Sequence, residues 1–76
     1  MNRIENSHRA LAALPHGTIL TDDYGNLFCR DGSNKSNAPM FKIAWRDGCY
    51  DSGFAPVSRN HANALSGRKL YIKDEG

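Results

Sequence analysis

One stretch of the chain alternates between large apolar and other residues with the period of a half-buried β-strand. Residues 40–46 read M-F-K-I-A-W-R, so that Phe41, Ile43 and Trp45 occupy every second position. Because successive side chains of a strand point to opposite faces, this pattern places one set against a core and the other in solvent. We therefore expect the three large side chains to face the interior and the residues between them to face outward.

A β-hairpin is predicted upstream of this strand. Residues 18–22 and 26–30 read as two strands that fold back on each other over residues 23–25, D-Y-G. Aspartate and glycine between β-branched, apolar and aromatic runs are a strong short-range hairpin signal. Gly25 can also adopt the positive φ that a tight turn requires.

The N-terminal segment predicts a helix over residues 2–14. Asn2 can act as the N-cap, with Glu5 completing a capping-box pattern, and Ser7 is an alternative, later start. Pro15 ends the helix, because a residue that precedes proline is disfavoured in the α region. One face of this helix would carry Ile4, His8, Leu11 and Leu14.

The middle of the chain predicts a long loop, and its second half predicts a short helix. Residues 31–39, D-G-S-N-K-S-N-A-P, are turn-forming throughout and favour an exposed, mobile connection. Ser58 as N-cap, residues 59–65 as the body and Gly67 as the stop predict a helix of barely two turns. Such a helix is stable only when it packs on the sheet, and it offers Ala62 and Leu65 for burial.

Two further strands complete the prediction: a short return strand over residues 49–51 and a last strand over residues 69–73, in which Leu70 and Ile72 alternate with charged and polar residues. Together the elements indicate an α+β fold in a single domain, residues 1–76. The expected sheet is small, antiparallel and strongly curved (SH3-like or partly closed), with four or five strands. The N-terminal helix packs on it, and the short second helix precedes the last strand.

Composition and charge narrow the classes of function. The 76 residues are 39% hydrophobic and carry a net charge of +2, which is too weak a bias to indicate nucleic-acid binding by itself. No apolar run approaches the roughly 18 residues of a membrane-spanning helix. The N-terminus has no apolar segment typical of a signal peptide, so we expect a cytoplasmic protein.

Candidate catalytic and metal-binding residues are few. Two cysteines and three histidines lack the paired spacing of structural zinc modules, and no nucleophile motif or phosphate-binding glycine loop is present. We therefore expect a non-enzymatic protein without cofactor or metal. Cys29 and Cys49 are expected to remain reduced, mainly as small apolar side chains. A disulfide that joins them is the alternative, which the sequence leaves open. The histidines are His8, His16 and His61.

A basic sheet face is the candidate binding surface. If Phe41, Ile43 and Trp45 face inward, Lys42 and Arg46 share the outer face with the basic residues of the last strand. The sequence leaves open whether Phe28 and its neighbour Arg30 also face outward. The candidate partner-binding residues are Arg30, Lys35, Lys42, Arg46, Tyr50, Lys69, Tyr71 and Lys73. A basic face with aromatic residues is also typical of nucleic-acid-binding mini-barrels, which is the alternative function.

Residues 11–28, L-A-A-L-P-H-G-T-I-L-T-D-D-Y-G-N-L-F, resemble short orphan proteins of tailed phages and prophages. In that group a helix runs into an L-P-x-G-T corner, and a D-x-x-G hairpin follows with an aromatic residue three places after the glycine. The matching residues here are Leu14, Pro15, Gly17, Thr18, Asp22, Gly25 and Phe28. The chain differs in having phenylalanine rather than tryptophan at position 28 and in its longer loop at 31–39.

The resemblance implies a class of role rather than a residue-by-residue assignment. Small single-domain phage proteins commonly bind and block a host protein, including restriction and CRISPR machinery. The expected function is therefore that of a non-enzymatic binding protein of a phage or mobile element, acting on a host protein. We expect no membrane partner, and a monomer or a homodimer formed through an unpaired strand edge.

Overall fold

The computed structural model describes residues 2–48 and 53–73, which form an α+β fold around one antiparallel sheet. The strands are β1 (Asn2–Ile4), β2 (Ile19–Asp22), β3 (Leu27–Ser33), β4 (Pro39–Ala44), β5 (Arg59–Asn60) and β6 (Leu70–Ile72), and the helices are α1 (His8–Ala12) and α2 (His61–Leu65). The spatial order is β1-β6-β2-β3-β4-β5. In the described residues the sheet thus has six strands rather than four or five, and it is open, with β1 and β5 at its edges.

The hydrophobic core lies on one face of the sheet, beneath both helices. Leu20, Phe28 and Ile43 stand directly opposite one another on β2, β3 and β4, so their side chains point to the same face. The helices add Leu11 and Leu65, both fully buried. The complete buried cluster is Leu11, Leu20, Phe28, Phe41, Ile43, Ala64, Leu65 and Leu70.

The predicted orientation of β4 is confirmed, with one qualification at its end. Phe41 and Ile43 are 0% and 2% exposed. Trp45 follows the strand and is 37% exposed, so it covers the margin of the core rather than its centre. Its ring meets Phe28 edge to face, with 6.3 Å between the ring centroids. Such contacts stabilise aromatic pairs beyond the area that they bury.

The predicted helix over residues 2–14 is wrong in its first half. Asn2–Ile4 is the edge strand β1, which pairs with β6 so that Ile4 lies opposite Leu70. The helix begins at the alternative cap Ser7, whose Oγ accepts a hydrogen bond from the backbone N–H of Ala10. Strand pairing therefore prevails over the helix propensity of these residues, and helix α1 keeps only five residues.

The predicted hairpin is confirmed, and Asp22 organises its turn. One carboxylate oxygen of Asp22 accepts hydrogen bonds from the backbone N–H groups of Tyr24 and Asn26, at 2.9 and 3.0 Å. Gly25 has a φ of +86°, which a residue with a side chain rarely adopts. Strand β3 follows this turn and continues beyond its predicted end, to Ser33.

The predicted nine-residue loop over residues 31–39 is also corrected, because both neighbouring strands extend into it. Only residues 34–38 connect β3 to β4. Asn34 orders this connection, since its side-chain oxygen accepts hydrogen bonds from the backbone N–H groups of Ser36 and Ala38, each at 2.9 Å. The segment is therefore a turn held by local hydrogen bonds, as asparagine commonly provides.

The second helix starts later than predicted. Asn60 is the N-cap of α2 instead of Ser58, because the preceding residues pair with β4 as strand β5. The helix buries Ala64 and Leu65, whereas Ala62, which the sequence offered for burial, is exposed. The last strand, Leu70–Ile72, is confirmed. The predicted return strand over residues 49–51 lies outside the described residues.

Candidate functional site

The candidate site is the face of the sheet opposite the helices, here called the open face. Strand register places its residues in two rows across the sheet. Its members are Arg3, Ile19, Thr21, Leu27, Cys29, Lys42, Ala44 and Tyr71. No helix of the described residues packs on this face, because both helices contribute to the core on the other side.

The centre of the open face combines half-buried apolar residues with the polar Thr21, which is buried. Ile19, Leu27 and Ala44 are each partly accessible to solvent, although a residue of the opposite face such as Phe28 is fully buried. The sheet itself provides this partial shielding, because neighbouring side chains on a pleated surface cover one another. An apolar centre of this kind offers area that a binding partner can remove from water.

Basic residues surround this apolar centre. Arg3 and Lys69 are exposed and line a cleft of about 420 Å³ beside β1 and β6. Lys73 directly follows β6, and its backbone N–H donates to the carbonyl of Ile19 at 2.9 Å. Arg46 lies over Gly25 at the β2–β3 turn. Together with Lys42 on β4, these residues give the open face five cations.

Tyr71 is the aromatic residue of the open face. It stands directly opposite Thr21 and Arg3 on the neighbouring strands. It also lines a shallow groove of about 480 Å³ that extends to Asp23 and Gly25 in the β2–β3 turn. Tyrosine combines a large contact area with a polar tip, and it is enriched among the residues that dominate binding energy.

One end of the open face carries a carboxylate and a thiol. The hydroxyl of Ser58 donates to a carboxylate oxygen of Asp31, and Nδ1 of the exposed His16 lies 4.0 Å from the other oxygen. Burial and then the charge of Asp31 raise the pKa of the Cys29 thiol, against the lowering effect of Lys42. The thiol is therefore protonated at neutral pH and is a poor nucleophile.

Arg30, which was predicted to bind a partner, is 5% exposed and faces the core, so it lies outside the open face. Its Nε donates to the carbonyl of Leu11 at 3.3 Å, and its guanidinium lies 5.9 Å from the Phe41 ring centroid. Arginine near a helix C-terminus satisfies carbonyls that lack a helical partner. Arg30 thus joins α1 to the sheet.

The other predicted site residues divide into three groups. Lys42 and Tyr71 lie on the open face, and Arg46, Lys69 and Lys73 lie at its margin. Lys35 is exposed in the 34–38 turn, apart from this surface. Tyr50 lies outside the described residues.

Sequence reasoning missed Arg3 and Arg68. Arg3 was assigned to the predicted helix over residues 2–14. The alternative helix start at Ser7 was the one signal that could have placed Arg3 outside the helix, on an extended segment. Arg68 lies just before β6 and bridges to Asp22, with 2.7 Å between Nη1 and Oδ2. Nothing in the local pattern signals this contact, because 46 positions separate the two residues.

A further feature of the molecule is the placement of its titratable and nucleophilic side chains. In residues 2–48 and 53–73 there is no group of three or more His, Cys, Asp or Glu side chains placed to hold a metal ion. Ser58 and His16 both contact Asp31, which lies between them. Nucleophilic catalysis requires a different order, in which the base contacts the nucleophile and a third group orients the base.

Neither five-residue helix of the described part is long enough to cross a membrane.

Comparison with protein-family models, with curated proteins and with solved structures finds no match for this chain.

Proposed function

We propose that this chain is a small non-enzymatic binding protein that attaches to another protein through the open face of its sheet. The observation that carries the proposal is the half-buried apolar centre of Ile19, Leu27 and Ala44 with cations around it. Protein interfaces have this anatomy, with an apolar centre inside a polar rim. The partner surface is accordingly acidic at its rim and apolar at its centre.

The size of the domain is compatible with such an interface. A standard protein–protein interface covers roughly 800 Å² on each partner. The whole chain exposes 5018 Å², so an interface of that size would occupy about one sixth of its surface. The open face and its basic margin would have to act together, with Arg3, Arg46 and Tyr71 as the anchors, since arginine and tyrosine dominate hot spots.

The resemblance of residues 11–28 to phage and prophage proteins suggests the biological setting. The protein would belong to a phage or mobile element and act in the bacterial cytoplasm by occupying, and so blocking, a surface of a host protein. An anti-defence role of the anti-CRISPR type is one form of this activity. Blocking requires only shape and charge complementarity, which agrees with a chain that offers no catalytic arrangement in its described part.

Nucleic-acid binding is the second candidate, and the five cations of the open face and its margin favour it. Single-stranded nucleic acid is bound by cations that follow the backbone and by aromatic rings that stack on bases. In the described residues Tyr71 is the only ring on the open face. The apolar residues between the cations also contribute little to phosphate binding. These features favour a protein partner.

The proposal is tested by comparative capture from lysate of a bacterial host. Wild-type protein and the double variant Lys42→Glu/Tyr71→Ala serve as baits, with Lys35→Glu as the matched control, because Lys35 is exposed and lies apart from the open face. We expect the same host protein with the wild type and the control, and a loss of at least tenfold with the double variant. All captures are repeated after nuclease treatment.

Three outcomes would count against this proposal. Equal recovery with all baits would show that the open face is not the contact surface. Recovery of no protein at physiological salt would remove the proposed activity. Loss of the captured material after nuclease treatment, together with affinity for single-stranded DNA or RNA that falls steeply with salt, would favour the second candidate.

A further inference from the structure

We propose that His8 and His61 form a two-histidine binding site for a transition-metal ion of the Zn²⁺, Ni²⁺ or Cu²⁺ class. The two residues are 53 positions apart in the sequence, yet their ring centroids lie 4.9 Å from each other. The site is separate from the open face, because α1 and α2 carry the two histidines on the other side of the sheet.

The separation of the rings matches that of two imidazoles bound to one ion. With a metal–nitrogen distance of about 2.0–2.1 Å, each ring centroid lies about 3.2 Å from the metal. Two such ligands at an angle of roughly 90–110° place their ring centroids about 4.5–5.2 Å apart. The observed 4.9 Å lies within that interval, and the two rings meet in a T-shaped arrangement with an interplanar angle of 79°.

The surroundings leave a ligand nitrogen and space for an ion. Nδ1 of His61 is buried and has no hydrogen-bond partner in the described part of the chain, and an unpaired buried polar atom is costly. The ring of the exposed His8 is its neighbour, with 4.9 Å between the two ring centroids. Both histidines border a cleft of about 240 Å³, which Ser7 and Ser66 also line.

The backbone positions both histidines firmly. Each is the first residue of its helix, directly after a capped N-terminus: the side chain of Ser7 caps α1, and that of Asn60 caps α2. Asn6, just before the cap of α1, joins that helix start to the C-terminal end of α2, because its side-chain amide donates to the carbonyls of Leu65 and Arg68. The chain therefore presents the two imidazoles as a preformed pair.

The chemistry of the site selects the class of ion. Neutral imidazole suits Zn²⁺, Cu²⁺ and Ni²⁺, whereas Mg²⁺ and Ca²⁺ require oxygen ligands. With two protein ligands, water or a donor from another molecule completes the coordination shell. Binding is then weaker than at structural zinc sites, which have four protein ligands.

The experiment titrates reduced, tag-free protein with ZnCl₂ and NiCl₂, with binding of both ions measured by calorimetry. For diamagnetic Zn²⁺ the histidine ring protons are also followed by NMR. We expect one ion per chain, with Zn²⁺-induced shifts confined to the rings of His8 and His61. His8→Gln and His61→Gln should each lower the affinity at least tenfold. His16→Gln is the matched control and should bind like the wild type, because His16 lies elsewhere, beside Asp31.

Several results would overturn the proposal. These are no binding below millimolar metal, unchanged affinity in His8→Gln, or equal losses in all three variants. Thermal unfolding without metal shows which variants fold. If His61→Gln does not fold, the variant of the exposed His8 decides the question. MgCl₂ and CaCl₂ should produce no histidine shifts, and a response to them equal to that for Zn²⁺ would also contradict the site.

Discussion

Arg30 and Arg68 make similar contacts beside the core, but only Arg68 pairs with a carboxylate. Arg30 donates from Nε to the carbonyl of Leu11 in α1, and Arg68 donates from Nε to the carbonyl of Ala64 in α2. Each guanidinium also lies over an aromatic ring of the core, at 5.9 Å for Arg30 over Phe41 and 5.7 Å for Arg68 over Phe28. Each arginine therefore ties one short helix to the sheet.

The difference between them lies in charge compensation. Arg68 pairs with the buried carboxylate of Asp22, whereas Arg30 has no ion pair within residues 2–48 and 53–73, and its Nη1 is buried without a hydrogen-bond partner. A buried charge whose partner is removed is strongly destabilising, but an arginine held only by neutral groups adds little net stability. The two arginines should therefore respond very differently to the same substitution.

Arg68→Met should produce the largest loss of stability. Methionine retains much of the apolar packing on Phe28 and Trp45 but leaves the buried Asp22 carboxylate without its cation. The partial exposure of Arg68 reduces the effect, so we expect a loss of about 2–3 kcal/mol in the free energy of unfolding. Urea denaturation, monitored by the fluorescence of Trp45, measures this loss in the free energy of unfolding.

The double variant Asp22→Asn/Arg68→Met provides the control, since it removes both charges. It should lose less stability than the two single changes added together, because the unpaired carboxylate no longer exists. Strict additivity would show that the ion pair does not couple the two residues, and the contrast with Arg30 would then disappear.

The stability should also fall in acid because of Asp22. Burial raises the pKa of this carboxyl, but hydrogen bonds from Asn26, Tyr24 and Arg68 outweigh it and hold the pKa below the ordinary value of 3.8. The unfolded chain therefore binds the proton at a higher pH than the folded chain. The contribution of Asp22 is present above 3.8 and is lost as the pH falls through the folded-state pKa.

This pH dependence is measured as the free energy of unfolding between pH 6 and pH 2.5. At the acid end of this range, the free energy of unfolding of Asp22→Asn should change less with pH than that of the wild type, whatever the absolute stability of the variant. Equal slopes would mean that other carboxyls account for the acid sensitivity.

The sequence predicted the parts of the fold that depend on short-range pattern. The alternation of Phe41 and Ile43 and the turn at Gly25 placed a strand and a hairpin correctly, because period-2 burial and positive φ act locally. The start of the chain was predicted wrongly because Asn2–Ile4 forms a strand only through pairing with β6, almost seventy residues away. Local propensity cannot report such a contact.

The candidate surface was also predicted only in part, because strand alternation is local whereas the burial of Arg30 depends on a tertiary contact. The outward orientation of Lys42 and Tyr71 follows from strand alternation, and strand register confirms that they share a face. The orientation of β3 could not be chosen from the sequence, because each of its two faces has an apolar residue to bury. One face carries Leu27 and Cys29, and the other carries the large apolar Phe28 together with the charged Arg30. Burial of an arginine beneath a helix depends on the carbonyl of Leu11, which is a tertiary contact.

Arg30→Met should change stability much less than Arg68→Met. The substitution loses the hydrogen bonds to the Leu11 carbonyl and the Ser33 hydroxyl but also removes the unpaired Nη1 and the cost of burying a charge. These terms oppose each other, and we expect a change within about 1 kcal/mol in either direction. A loss equal to that of Arg68→Met in the same urea experiment would show that Arg30 has a compensating charge after all.

Lys42→Glu should have the smallest effect on stability, although it lies on the same sheet as both arginines. Lys42 occupies the open face, opposite the helices, and its neighbour across the strands is Cys29. Surface charge changes away from caps and buried pairs usually stay within about 0.5 kcal/mol, so the free energy of unfolding should match that of the control Lys35→Glu. A loss comparable with that of Arg68→Met would mean that the open face is structural, and its role as a binding surface would have to be abandoned.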